Sequence, residues 1–152
     1  MDFKGPLGKD IINLPAGPSV AVLSSESATW PGLGDKRARH IGGQFKGYRL
    51  NDKREPIFTY IQQGVTVNEY TAPKLAPGGS TLLRRFDLSA KAPPDGVYVL
   101  AADGADLKEV EPGVWSMNNN GSAVKVYIDA DVKTVISEQD NRKLLNVTST
   151  VA

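Results

Sequence analysis

Between Gly43 and Leu88 the chain alternates apolar and polar residues in short runs, and each run is closed by turn formers. The runs are Gly43–Leu50, Pro56–Gln63, Val65–Tyr70 and Thr81–Leu88. Between them lie the polar stretch Asn51–Glu55, the single Gly64, and the Pro/Gly-rich segment Pro73–Ser80. A strand points successive side chains to opposite faces, so a period of two gives one face to the core and the other to water. The pattern predicts antiparallel strands in a meander.

Strict alternation assigns faces within each run. In Gln44–Leu50 it sets Phe45, Gly47 and Arg49 against Gln44, Lys46, Tyr48 and Leu50, with Tyr48 and Leu50 expected at the core. Ile57, Thr59 and Ile61 oppose Phe58 and Tyr60. Apolar groups on both sides predict a central strand between two layers. Val65, Val67 and Glu69 oppose Thr66, Asn68 and Tyr70, while Leu82, Arg84, Phe86 and Leu88 share one face. Pro73–Ser80 reads as a loop.

The rest of the chain has the same habit. Residues 1–18 form an extended lead-in with one short strand at Asp10–Leu14, and Ser19–Leu23 is a buried strand. Ser24–Gly34 is a loop, in which Pro31 drives Trp30 out of helical geometry. Pro93-Pro94-Asp95-Gly96 is a turn, since proline presets φ and glycine accepts positive φ. Strands follow at Val97–Ala102, Leu107–Val110, Val114–Met117, Ala123–Ile128 and Asn141–Val151, with a hairpin at Asn118–Gly121 and an ambiguous Val132–Ser137. Roughly nine to eleven strands at this spacing predict an all-β, two-sheet antiparallel β-sandwich, with a closed β-barrel as the alternative. The whole of residues 1–152 is read as one domain.

Composition narrows the functions open to such a domain. The 18 Lys and Arg against 17 Asp and Glu leave a formal charge of +1, which is no footprint for nucleic acid. No apolar run approaches the ~20 residues of a membrane-spanning helix, and the first residues, Met1-Asp-Phe-Lys-Gly-Pro6, carry no signal-peptide core. Cysteine is absent and His40 is the single histidine. Those counts argue against a disulfide framework, a thiolate or multi-imidazole metal site, covalent haem attachment and a histidine-based triad. No cofactor is expected.

Candidate binding residues are large aromatics and paired cations. Trp30, Tyr60, Tyr70, Tyr98 and Trp115 are each either core or a stacking platform for a sugar ring; packing is the commoner fate of such rings, and Trp30, in its Pro/Gly loop, is the best platform among them, with Tyr70 and Trp115 kept as candidates. Arg84-Arg85, Arg49 and Lys46 lie on neighbouring strands. Arg49 and Arg85 are expected to face an acidic partner, or to form a cross-strand charge ladder with Asp87 and Glu69. The cluster Lys36–His40 is a solvated loop or an anion contact. Asp103/Asp106 and Asp129/Asp131 are close carboxylates outside any calcium-loop pattern, and they suit turns. A carboxylate pair for glycoside hydrolysis could come from Glu55, Glu69, Asp87, Glu109 or Glu111.

Six segments carry a family likeness: Asn13–Leu23, Trp30-Pro31, Phe45–Leu50, Pro56–Tyr60, Val65–Glu69 and Leu83–Leu88. Together they resemble a β domain inside large exported proteins of planctomycete- and verrucomicrobia-type bacteria. Those proteins also carry cytochrome c and sugar-dehydrogenase-like propeller regions. The likeness covers about residues 10–100, and Gly47-Tyr48-Arg49-Leu50 with Pro56 and Phe58 is its most specific part. It implies an exported, periplasmic or extracellular, accessory module and carries no catalytic residue across.

The expected function is a non-catalytic module for binding or assembly, with glycan as the expected ligand. A small carbohydrate-active enzyme using two carboxylates is one alternative. A structural subunit covered by a partner or a second copy is the other.

Overall fold

The computed structural model describes residues 13–15, 17–33, 43–76, 79–129 and 131–152. Every regular element among them is a strand: β1 (Val20–Val22), β2 (Gly43–Leu50), β3 (Pro56–Gln62), β4 (Val65–Ala76), β5 (Gly79–Ser89), β6 (Val97–Gly104), β7 (Lys108–Glu111), β8 (Val114–Asn119), β9 (Ser122–Tyr127), β10 (Thr134–Gln139) and β11 (Arg142–Thr148). They form three antiparallel sheets: a spine sheet β1-β6-β11-β10, a long sheet β2-β3-β4-β5 and a small sheet β7-β8-β9. None closes into a barrel, and the architecture is an all-β sandwich whose second layer is divided in two. Among the described residues no helix is long and apolar enough to cross a membrane.

Tight turns set the registers. The two-residue loops Gln63-Gly64, Asn120-Gly121 and Asp140-Asn141 all have positive φ at both positions. That geometry matches the right-handed twist of paired strands.

The spine sheet has two covered faces. Val20, Val97 and Val99 on one side pack with Val65, Val67 and Leu88 of the long sheet. Ala101 has no partner on β11, where Leu145 pairs with Ala102 and Asn146 with Leu100. This bulge keeps Ala102 on the side of Val97 and Val99. Ala102 and Leu145 then pack with Leu107, Trp115 and Met117, so the small sheet covers the other end of the same face. The opposite face, with Ala21, Leu23, Tyr98, Leu100 and Leu144, is closed by Trp30 and the loop around it.

Three strand expectations are corrected. Asn13 and Leu14 are not in a strand, and the rest of Asp10–Leu14 lies outside the described residues. Pro73–Ser80 is not a loop, because β4 and β5 continue as a paired arm to Ala76 and Gly79. β3 pairs with β4 only from Val65 to Tyr70, so Pro73 has a partner on one side alone, where a missing N–H is tolerated. In β2 the alternation slips at Lys46. Phe45 pairs with Tyr60 but Gly47 pairs with Thr59, and Gly47 has φ of 128°. Phe45, Tyr48 and Leu50 therefore share one face.

Candidate functional site

The long sheet has an inner face that begins in the core and ends in water. Registered pairing places Phe45, Tyr60, Val67 and Leu88 in one row across the strands. Tyr48, Phe58, Glu69 and Phe86 form the next row, and beyond it Leu50 pairs with Pro56 and Thr71 with Arg84. Val65, Val67 and Leu88 are buried against the spine sheet. Toward β2 and toward the outer rows the same face is uncovered: Phe45 is 59% exposed, Tyr48 66%, Leu50 50%, Phe58 38% and Leu82 46%. Tyr48 and Phe58 are in ring contact, with centroids 6.1 Å apart and planes tilted by 48°. Tyr48 and Leu50 thus lie on the core side, as their apolar character demands, yet no core covers them.

A polar cluster marks the boundary between the covered and uncovered parts. The Tyr60 hydroxyl donates to Glu69 Oε2 at 3.0 Å, and Arg84 Nη2 donates to Glu69 Oε1 at 2.7 Å. Arg84 also reaches Ser19 Oγ at 3.3 Å, and its guanidinium lies 5.0 Å from the Phe86 ring centroid. Burial raises the Tyr60 hydroxyl pKa well above the ordinary value, and the adjacent Glu69 carboxylate adds to the rise. Glu69 and Arg84 are the charged side chains on the registered inner-face positions, and they neutralise each other.

The outer face brings together three of the five residues singled out in the sequence. Arg49, Ile57, Tyr70 and Arg85 form one row across all four strands. The Arg85 guanidinium covers the Tyr70 ring at 5.2 Å and lies 3.6 Å from Asp87. The Tyr70 hydroxyl donates to Glu55 Oε1 at 3.0 Å, a contact that raises its pKa. Asn51 fixes Glu55 in turn, because its Oδ1 accepts from the backbone N–H groups of Lys53 and Glu55. Of the expected cross-strand charge ladder, Arg84–Glu69 spans β5 and β4 on the inner face, whereas Arg85 and Asp87 pair along β5 itself on the outer face.

The other two candidates are corrected. Trp30 is 1% exposed, and its indole N–H donates to the Pro18 carbonyl at 2.9 Å. Its backbone N–H donates to Gln139 Oε1 at 2.7 Å, so both ends of the residue are tied down. Proline at 31 does give an extended loop, but that loop folds its tryptophan under the spine sheet. Trp115 is buried between the small sheet and the spine. Neither ring offers a face to a sugar. The cluster Lys36–His40 lies outside the described residues.

Other surface chemistry is committed to structure. Hollows in the described surface include two whose linings carry polar groups already bonded in part. The first is lined by residues that include Leu23, Glu26 and Tyr98, the second by Asp103, Asn118, Asp140 and Arg142 among others. Arg142 holds Asp103 at 2.7 Å, and Asp106 accepts from the Asn118 backbone N–H. No cluster of three or more His, Cys, Asp or Glu suited to a metal ion occurs among the described residues. Alternation alone could not reveal the uncovered inner face, because it ranks Phe58 and Leu82 with the core. The length of the long sheet beyond the spine is what exposes them. Comparison with protein-family models, with curated proteins and with solved structures gives no match to the chain.

Proposed function

We propose that the chain is a non-catalytic module for binding or assembly, and that the uncovered inner face of the long sheet is its working surface. One observation carries this reading. A face that is core at Val65 and Val67 carries five exposed large apolar side chains, four of which, Phe45, Tyr48, Leu50 and Phe58, are neighbours on β2 and β3. Scattered exposed apolar residues are ordinary, but a contiguous patch on one sheet face marks an interaction site. The neighbouring carboxylates support a binding role, since Glu69 and Glu55 each accept from a tyrosine and a second polar group. The exported, accessory setting belongs to this same reading.

A photoreactive residue at position 48, introduced in cells that make the protein, tests it. Adducts form from position 48, and the same residue at position 83 on the outer face gives none. Adducts from position 83 with none from position 48 would refute the assignment.

The outer row favours a second reading. Arg49 and Arg85 lie three strand spacings apart, roughly 14 Å, on an exposed face with Tyr70 between them. That arrangement suits successive anionic groups of an acidic polysaccharide better than a neutral sugar, because Arg85 already occupies the tyrosine face. Native gels containing a polyuronate would retard the protein, and Arg49→Gln with Arg85→Gln would abolish the retardation. Unchanged mobility of the parent protein removes the glycan.

A further inference from the structure

We infer that the occupant of the uncovered inner face is a second copy of this chain, stacked face to face about a two-fold axis. The inference rests on the reading of that face as the working surface and names its partner. Three observations select a copy over an unrelated protein.

The first is area. Phe45, Tyr48, Leu50, Phe58 and Leu82, each about half exposed, present on the order of 500 Å² of side-chain surface. Two such faces together supply on the order of 1,000 Å², the floor for a specific interface and the range of a weak, reversible one.

The second is charge. A face that meets its own copy must not repeat an unpaired charge across the axis. Glu69 and Arg84 pair at 2.7 Å within one chain, so the face is neutral and a copy meets no like charge. An acidic or basic partner would find no unpaired charge on its registered positions.

The third is the edge. β2 borders the patch and has only β3 as a registered neighbour among the described residues. Its bulge at Lys46 and Gly47 breaks the flat row of backbone groups that strand addition requires. Pairing through the face remains open where pairing through the β2 edge is obstructed. Tyr48 and Phe58, already in ring contact, then sit where aromatic residues concentrate in interfaces.

Sedimentation velocity of the full 152-residue chain over a range of concentrations tests this. The expected result is a reversible dimer. Tyr48→Glu weakens it at least about tenfold, as for a central contact residue. Leu83→Glu on the outer face leaves it unchanged. Far-UV circular dichroism checks that Tyr48→Glu folds, and Phe45→Glu replaces it if it does not. A parent protein that stays monomeric throughout, while position 48 still crosslinks, overturns the second copy and leaves the face assigned to another partner. A dimer broken by Leu83→Glu and not by Tyr48→Glu overturns the second copy and the working surface together.

Discussion

Removing the Glu69 carboxylate should cost more stability than removing the arginine it holds. In Glu69→Ala the Arg84 guanidinium keeps only a long contact to Ser19 and its place beside Phe86. The Tyr60 hydroxyl loses its acceptor at the same time. An uncompensated charge in a full interior costs about 3–5 kcal/mol. Here the two side chains are 15% and 16% exposed, so water softens the loss to about 2–3 kcal/mol. Arg84→Met keeps the packing on Phe86 and leaves Glu69 bonded to Tyr60, which limits the cost to about 1–2 kcal/mol. The double variant removes both charges, so its loss falls short of the sum by at least about 1 kcal/mol. Urea denaturation reads all four proteins, with a shifted midpoint and an unchanged slope. If Glu69→Ala lies within about 0.5 kcal/mol of the parent, or if the two losses simply add, the cluster is a surface pair and the argument fails.

Two further outcomes follow from particular contacts. The Tyr60 pKa is raised in the folded state, so the unfolded chain releases that proton first; the contribution to stability is complete below about pH 10 and declines as pH rises above it. Urea midpoints taken through that range should fall less steeply for Tyr60→Phe than for the parent, and parallel slopes would contradict the shift. Gly96 has φ of 73°, and a β-carbon there would stand 2.3 Å from the Leu23 carbonyl oxygen. Gly96→Ala should therefore lose about 1–3 kcal/mol by strain and by displacing the Leu23 N–H···Gly96 carbonyl bond of 2.8 Å, measured by chemical denaturation; a neutral result would show that the turn can move aside.

The fold class was legible because period-two patterning is a property of the strand itself. β3 is an interior strand of its sheet, but the two layers expected from Ile57 and Phe58 pointing opposite ways are not there, and Phe58 is 38% exposed. What failed was local. Alternation counts residues, and the bulge at Lys46 adds one, so every side chain of β2 beyond it changes sides. Pro73 reads as a breaker, but a strand outlasting its neighbour has an open side on which proline is harmless. Trp30 shows that proline governs a backbone and says nothing of where the indole goes. The row Arg49–Tyr70–Arg85 depends on registers that no single strand records, although its residues stood out for their chemistry. Whether an apolar side chain is covered depends on how far two sheets overlap, and the pattern along one strand carries no such information.

The unpaired Ala101 changes the phase of β6 midway. Upstream of it the strand meets one roof and downstream another, yet both roofs rest on the same side of a continuous floor. Pairing that residue into the ladder without removing it would turn Ala102 and Gly104 to the far side and strip the smaller roof of its seat, while leaving Val97 and Val99 where they are. The smaller roof therefore depends on one alanine staying out of the ladder.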